Sequence, residues 1–100
     1  NWRIEAVVAV EVLEHVTDDV ASAICANALR VLSPGGLFLV SMASEPRLPH
    51  SAVHGGALVE GEFYRNVTDA RLREWLSGFE AGHTFYHPHG DLYGIARKGL

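Results

Sequence analysis

Two carboxylates and an imidazole stand close together early in the chain, in Glu11-x-x-Glu14-His15. If the backbone enters a helical turn here, positions i, i+3 and i+4 share one side and the three groups converge. Oxygen and nitrogen donors grouped in this way suit a divalent ion, or acid–base work on a bound molecule. Five more histidines follow, at 50, 54, 83, 87 and 89. Alternation places His83 and His87 on one strand face, which invites a metal reading. The plainer reading leaves His87 and His89 flanking a surface turn. His50 differs because it lies in a long aperiodic stretch, where function concentrates, and it is expected near the site. In Phe63-Tyr64-Arg65 an aromatic pair and a cation could stack on a planar substrate. Alternatively, Phe63 packs against the next helix and Arg65 is solvated. Cys25 is the single cysteine. It has no internal disulfide partner and reads as a small packed residue.

The elements that must position these residues are legible from periodicity. Ala6-Val7-Val8-Ala9-Val10 is a continuous apolar run, as in a strand buried on both faces of a parallel sheet. Thr17 stands at an N-cap position, followed by Asp18 and Asp19 at the positive end of the helix dipole. Val20, Ile24, Ala28, Val31 and Leu32 fall at nearly helical spacing, which predicts a helix over 18–32. Pro34-Gly35-Gly36 stops it, and Leu37-Phe38-Leu39-Val40 begins a second buried strand, completing a βαβ unit. From Ser41 to Asn66 there is no clear period, and a loop of that length is functional or mobile. Thr68 caps a second helix over 69–79, with Leu72, Trp75, Leu76 and Phe79 on its core face. Strands are expected near 6–11, 37–42, 82–87 and 92–97. The last two are joined by the turn Pro88-His89-Gly90-Asp91, so they must be antiparallel.

One hundred residues suffice for one domain, and 48% apolar with 20% charged residues is ordinary for a globular protein. No apolar run is long enough to span a membrane as a helix, and no secretory signal is visible, so the expected compartment is a reducing cytoplasm. A net charge of −4 gives no support to bulk binding of a phosphate backbone, although a local basic patch stays open.

Two longer segments carry a resemblance to a known family. Ala9-Val10-Glu11-Val12-Leu13-Glu14-His15-Val16 resembles the stretch that leaves the fourth strand in class I, type 11 S-adenosylmethionine-dependent methyltransferases. Ala28-Leu29-Arg30-Val31-Leu32-Ser33-Pro34-Gly35-Gly36-Leu37-Phe38-Leu39-Val40 resembles their next helix end, glycine turn and fifth strand. The tail Gly90-Asp91-Leu92-Tyr93-Gly94-Ile95-Ala96-Arg97-Lys98 is similar to their last strand. The resemblance implies an α/β fold over 1–100, a single partial methyltransferase domain. It would be part of a Rossmann-like sheet in the order β-α-β-α-β-β with a terminal antiparallel hairpin. The last strand is then expected between the second and third, antiparallel to both. The family's first strand, glycine-rich turn and ribose-binding acid would precede Asn1, so the chain is expected to be a C-terminal half whose N-terminal half is absent. The edge at Ala6–Val10 would then be open, with apolar surface near Val8 and Val10 bare.

By the same resemblance, S-adenosylmethionine is the cofactor, flanked by Val10, Glu11 and Val12. The end of the second strand, at Ser41-Met42-Ala43, would face the substrate, with His15 and His50 as the catalytic candidates. Glu11, Glu14 and His15 also resemble the metal-binding Glu-x-x-Glu-His of small-RNA 2′-O-methyltransferases and of some ubiquinone-pathway O-methyltransferases. His50 or His54 would complete that set, and a divalent cation there would lower the pKa of a hydroxyl acceptor. The other reading makes Leu13-Glu14-His15-Val16 a generic family turn, with His15 touching cofactor or substrate and Glu14 solvated. A small-molecule substrate is expected, with nucleic acid not excluded and no membrane partner. The alternative from another class is a non-catalytic α/β module that binds a partner through an open sheet edge.

Overall fold

The computed structural model describes residues 3–43, 53–54, 57–58, 67–88 and 90–100. Strand β1 (Ala6–Val10) leads through a 3-10 turn (Leu13–His15) into helix α1 (Asp18–Val31) and strand β2 (Leu37–Ala43). A small hairpin follows, of β3 (Val53–His54) and β4 (Ala57–Leu58), within the stretch expected to be aperiodic. Helix α2 (Asp69–Trp75) and strands β5 (Ala81–Tyr86) and β6 (Asp91–Arg97) complete the chain.

The main sheet has the order β1-β2-β6-β5. Strands β1 and β2 run parallel from Ala6 opposite Leu37 to Val10 opposite Ser41. Strand β6 lies between β2 and β5 and is antiparallel to both, as expected. Parallel β1 and β2 require the long crossover that α1 supplies, whereas β5 and β6 close through a tight turn.

Helix α1 buries Ala21, Cys25 and Ala28, with Leu32 just past its end, so the stripe read from the sequence holds at Ala28 and Leu32 and not elsewhere. Val20 and Val31 face outward, and Ile24 is only partly covered. The helix closes through Leu32 N–H to the Ala28 carbonyl, and Gly35 takes φ 81° in the turn that follows. Lys98, arriving from the far end of the chain, donates from Nζ to the Leu32 carbonyl at 2.7 Å. It thereby satisfies an acceptor at the negative end of the helix.

Helix α2 is shorter than its periodicity suggests. It ends at Trp75, and Leu76 to Gly78 form turns, with Phe79 N–H donating to the Leu76 carbonyl. Phe79 still reaches the core, where it stacks on Phe38 at 5.7 Å between ring centroids. Beneath α2, Gly94 is a close-approach position: a Cβ there would lie 2.8 Å from Val40 Cγ2.

The core therefore lies on one side of the sheet, where β2 contributes Phe38, Val40 and Met42 and β6 contributes Leu92 and Ala96. On the other face Val8 is 59%, Val10 61% and Phe85 48% exposed, joined by Leu37 and Ile95. The bare surface near Val8 and Val10 matches the expectation, and among the described residues no strand pairs with the outer edge of β1.

Candidate functional site at the carboxyl ends of β1 and β2

In open α/β sheets, ligands bind outside the carboxyl ends of parallel strands. Here those ends are Val10 and Ala43. The ladder runs one step past β1, with Glu11 N–H donating to the Ser41 carbonyl at 2.8 Å. Glu11 then takes φ 57°, the one non-glycine residue with positive φ among those described. This left-handed conformation turns the chain sharply out of the sheet, and non-glycine residues held there concentrate at functional sites.

After the reversal Val12 caps the 3-10 turn, and His15 N–H donates to the Val12 carbonyl at 3.0 Å. Leu13 is fully buried and anchors the turn, while His15 is half-buried. Val10, Glu11, Val12 and His15 thus lie along the segment that leaves the carboxyl end of β1. His50, the other catalytic candidate, lies outside the described residues, as do His89 and Phe63-Tyr64-Arg65. His83 and His87 are exposed at the far strand β5, where the His87 ring sits 6.1 Å from that of Tyr93.

The proposed convergence of Glu11, Glu14 and His15 needed one helical turn through all three. Glu11 is left-handed and the 3-10 turn begins only at Leu13, so that geometry does not form. Among the described residues no group of three His, Cys, Asp or Glu side chains could hold a metal ion. Glu14 also departs from the solvated reading, being wholly buried. Its Oε2 accepts from Ala43 N–H at 2.9 Å, and its Oε1 is buried without a hydrogen-bond partner. The sequence showed Glu14 only as a carboxylate in a polar motif. No feature of local spacing marks it as the buried member of the motif.

Ser41 and Ala43 are buried at the end of β2. The Ala43 carbonyl in turn accepts from Val67 N–H at 3.0 Å, just before α2. Thr68 caps α2 through its side chain, which accepts from Arg71 N–H at 3.1 Å. Thr17 occupies the corresponding position of α1 without a side-chain cap bond. Cys25 lies under α1, and burial pushes its thiol up to about 11, so it is neutral and inert at ordinary pH.

S-adenosylmethionine, the cofactor implied by the resemblance, would find here a flank and not a cradle. The backbone of Val10 to Val12 turns sharply at the carboxyl end of β1. The chain has no glycine before Gly35, so a glycine-rich phosphate- or ribose-approaching turn is not among its first strand-turn elements. No helix among the described residues is long and apolar enough to cross a membrane.

No family model matches the chain, and no curated protein matches it in sequence. Solved structures do match in fold. Human N-acetylserotonin methyltransferase in complex with S-adenosylmethionine superimposes with a TM-score of 0.74 at 20% identity, over 96% of this chain and 30% of its own. The 1,6-didemethyltoxoflavin-N1-methyltransferase of Burkholderia thailandensis, with bound 1,6-didemethyltoxoflavin and S-adenosylhomocysteine, gives 0.69 at 22% identity, over 98% of this chain and 45% of its own. A possible exported protein from Bordetella parapertussis gives 0.76 at 16% identity, over 98% of this chain and 40% of its own. The chain thus spans less than half the length of each of these three proteins. The four-stranded sheet with its two helices matches part of the fold of these methyltransferases.

Proposed function

We propose that the chain is the C-terminal half of an S-adenosylmethionine-dependent methyltransferase domain. The observation that carries this reading is the strand order, with antiparallel β6 inserted between β2 and β5 beside the parallel pair β1 and β2. The edge of β1, unpaired among the described residues, and the bare sheet face at Val8 and Val10 support it, because parallel sheets are normally covered on both faces. The left-handed Glu11 supports it too, as a strained residue at the strand end where ligands bind.

In this reading the cofactor supplies an electrophilic sulfonium methyl, and the protein mainly positions the partners for in-line displacement. Val10, Glu11 and Val12 flank the cofactor through their backbone. His15, half-buried in the turn after β1, takes a proton from the acceptor, the general-base role an imidazole commonly fills. His50 is the second candidate for that role. A small-molecule acceptor fits the net charge of −4 better than a nucleic-acid backbone does.

Calorimetric titration with S-adenosylhomocysteine tests the reading, on the full-length protein and on residues 1–100 alone, with light scattering on both. The full-length protein should bind in the micromolar range. Residues 1–100 should self-associate through the open β1 edge and bind nothing measurable. Binding by a monodisperse 1–100 would overturn the half-domain assignment, and no binding by the full-length protein would overturn the function.

A further inference from the structure

Glu14 is the one buried ionisable carboxylate among the described residues. A buried carboxylate with a single hydrogen bond is costly, and such a group in a native structure calls for an explanation. Strand β2 runs two residues beyond the last β1 pair, from Ser41 to Ala43. In a continued parallel ladder the Ala43 N–H would find a β1 carbonyl. The reversal at Glu11 has carried the backbone away, and Glu14 Oε2 takes the N–H at 2.9 Å instead. The carbonyl of the same residue holds Val67 N–H at 3.0 Å. Ala43 is therefore a node at which three pieces of chain meet: the turn after β1, the end of β2 and the start of α2.

We propose that Glu14 is a positioning residue of the crevice. Its carboxylate replaces the missing strand as hydrogen-bond acceptor and so fixes the distance between the His15 turn and the Ala43–Val67 node. Glu14 touches no ligand in this account. It acts through Ala43 on the substrate side and through the adjoining His15 on the other. The consequence for methyl transfer rests on the function proposed above, whereas the latch itself does not.

Two full-length variants separate acceptor from volume. Glu14→Gln keeps an acceptor oxygen for Ala43 N–H, and Glu14→Met fills a similar space without one. Amide hydrogen exchange is read at Ala43, Val67 and the β2 interior residues Phe38 to Val40, and S-adenosylhomocysteine affinity is measured in parallel. In Glu14→Met, protection at Ala43 should fall about 10- to 100-fold, the scale of leaving a buried donor without its acceptor. Val67 should follow it, with Phe38 to Val40 unchanged. Glu14→Gln should stay within about threefold of the parent at all sites, since its amide oxygen still accepts. Cofactor affinity should weaken in Glu14→Met and recover in Glu14→Gln. Unchanged Ala43 protection in Glu14→Met overturns the proposal. Equal loss across Phe38 to Val40, or failure of both variants to fold, overturns it as well, because Glu14 would then be a core residue only. If the parent protein binds no S-adenosylhomocysteine, the function fails while the exchange pattern still decides the latch.

Discussion

Replacing Glu11 by glycine and by alanine measures the strain stored where the chain leaves β1. At φ 57° a residue with a Cβ pays roughly 1–2 kcal/mol for the left-handed conformation, and glycine pays almost none. Glycine also enlarges the entropy of the unfolded chain, which costs about 0.4–1 kcal/mol relative to alanine. Both variants lose the same carboxylate, so their difference isolates the backbone. Subtraction leaves Glu11→Gly more stable than Glu11→Ala by about 0.5–1 kcal/mol. At an ordinary negative φ the order would reverse, with alanine ahead by a similar amount. Urea denaturation of the variants gives the difference directly, and thermal melts should differ by about 1–8 °C depending on domain size. If alanine equals or exceeds glycine, Glu11 is not held left-handed in solution, and the sharp turn proposed to flank the cofactor is wrong.

Other outcomes follow from single contacts. Thr68→Ala should cost about 1 kcal/mol because it removes a side-chain cap from α2, while Thr17→Ala should cost less than about half of that, since Thr17 makes no such bond. Paired thermal melts compare them, and equal costs would refute the assignment. Lys98→Met should destabilise by about 1 kcal/mol through loss of the 2.7 Å bond to the Leu32 carbonyl, again read by melting. Cys25, its thiol pushed up to about 11 by burial, should resist a thiol reagent at pH 8 until the protein is unfolded. Rapid labelling of the native protein would show that α1 does not pack as described.

The strands and helices were legible because each follows a short-range rule. The valine run gave β1, Pro34-Gly35-Gly36 ended α1, and the Gly90 turn forced β5 and β6 to pair antiparallel. Boundaries failed where side chains filled space in ways periodicity does not register. Phe79 reaches the core from a turn past the end of α2, and α1 turns Ala21 and Cys25 inward in preference to Val20. The strand order was not readable from local pattern; it came from the family resemblance and agrees with the structure.

By itself, then, the sequence determined the βαβ unit, the terminal hairpin and the polar motif at the end of β1. It placed Glu11, Glu14 and His15 within five positions of one another but could not say which way each would point. Tertiary structure decided that. The left-handed turn at Glu11 breaks the helical phase that would have gathered the three side chains. Glu14 is wholly buried, and its Oε2 meets a backbone N–H twenty-nine residues away. A side chain's direction depends on the backbone that precedes it and on the space the rest of the fold leaves open, and neither is a property of local spacing.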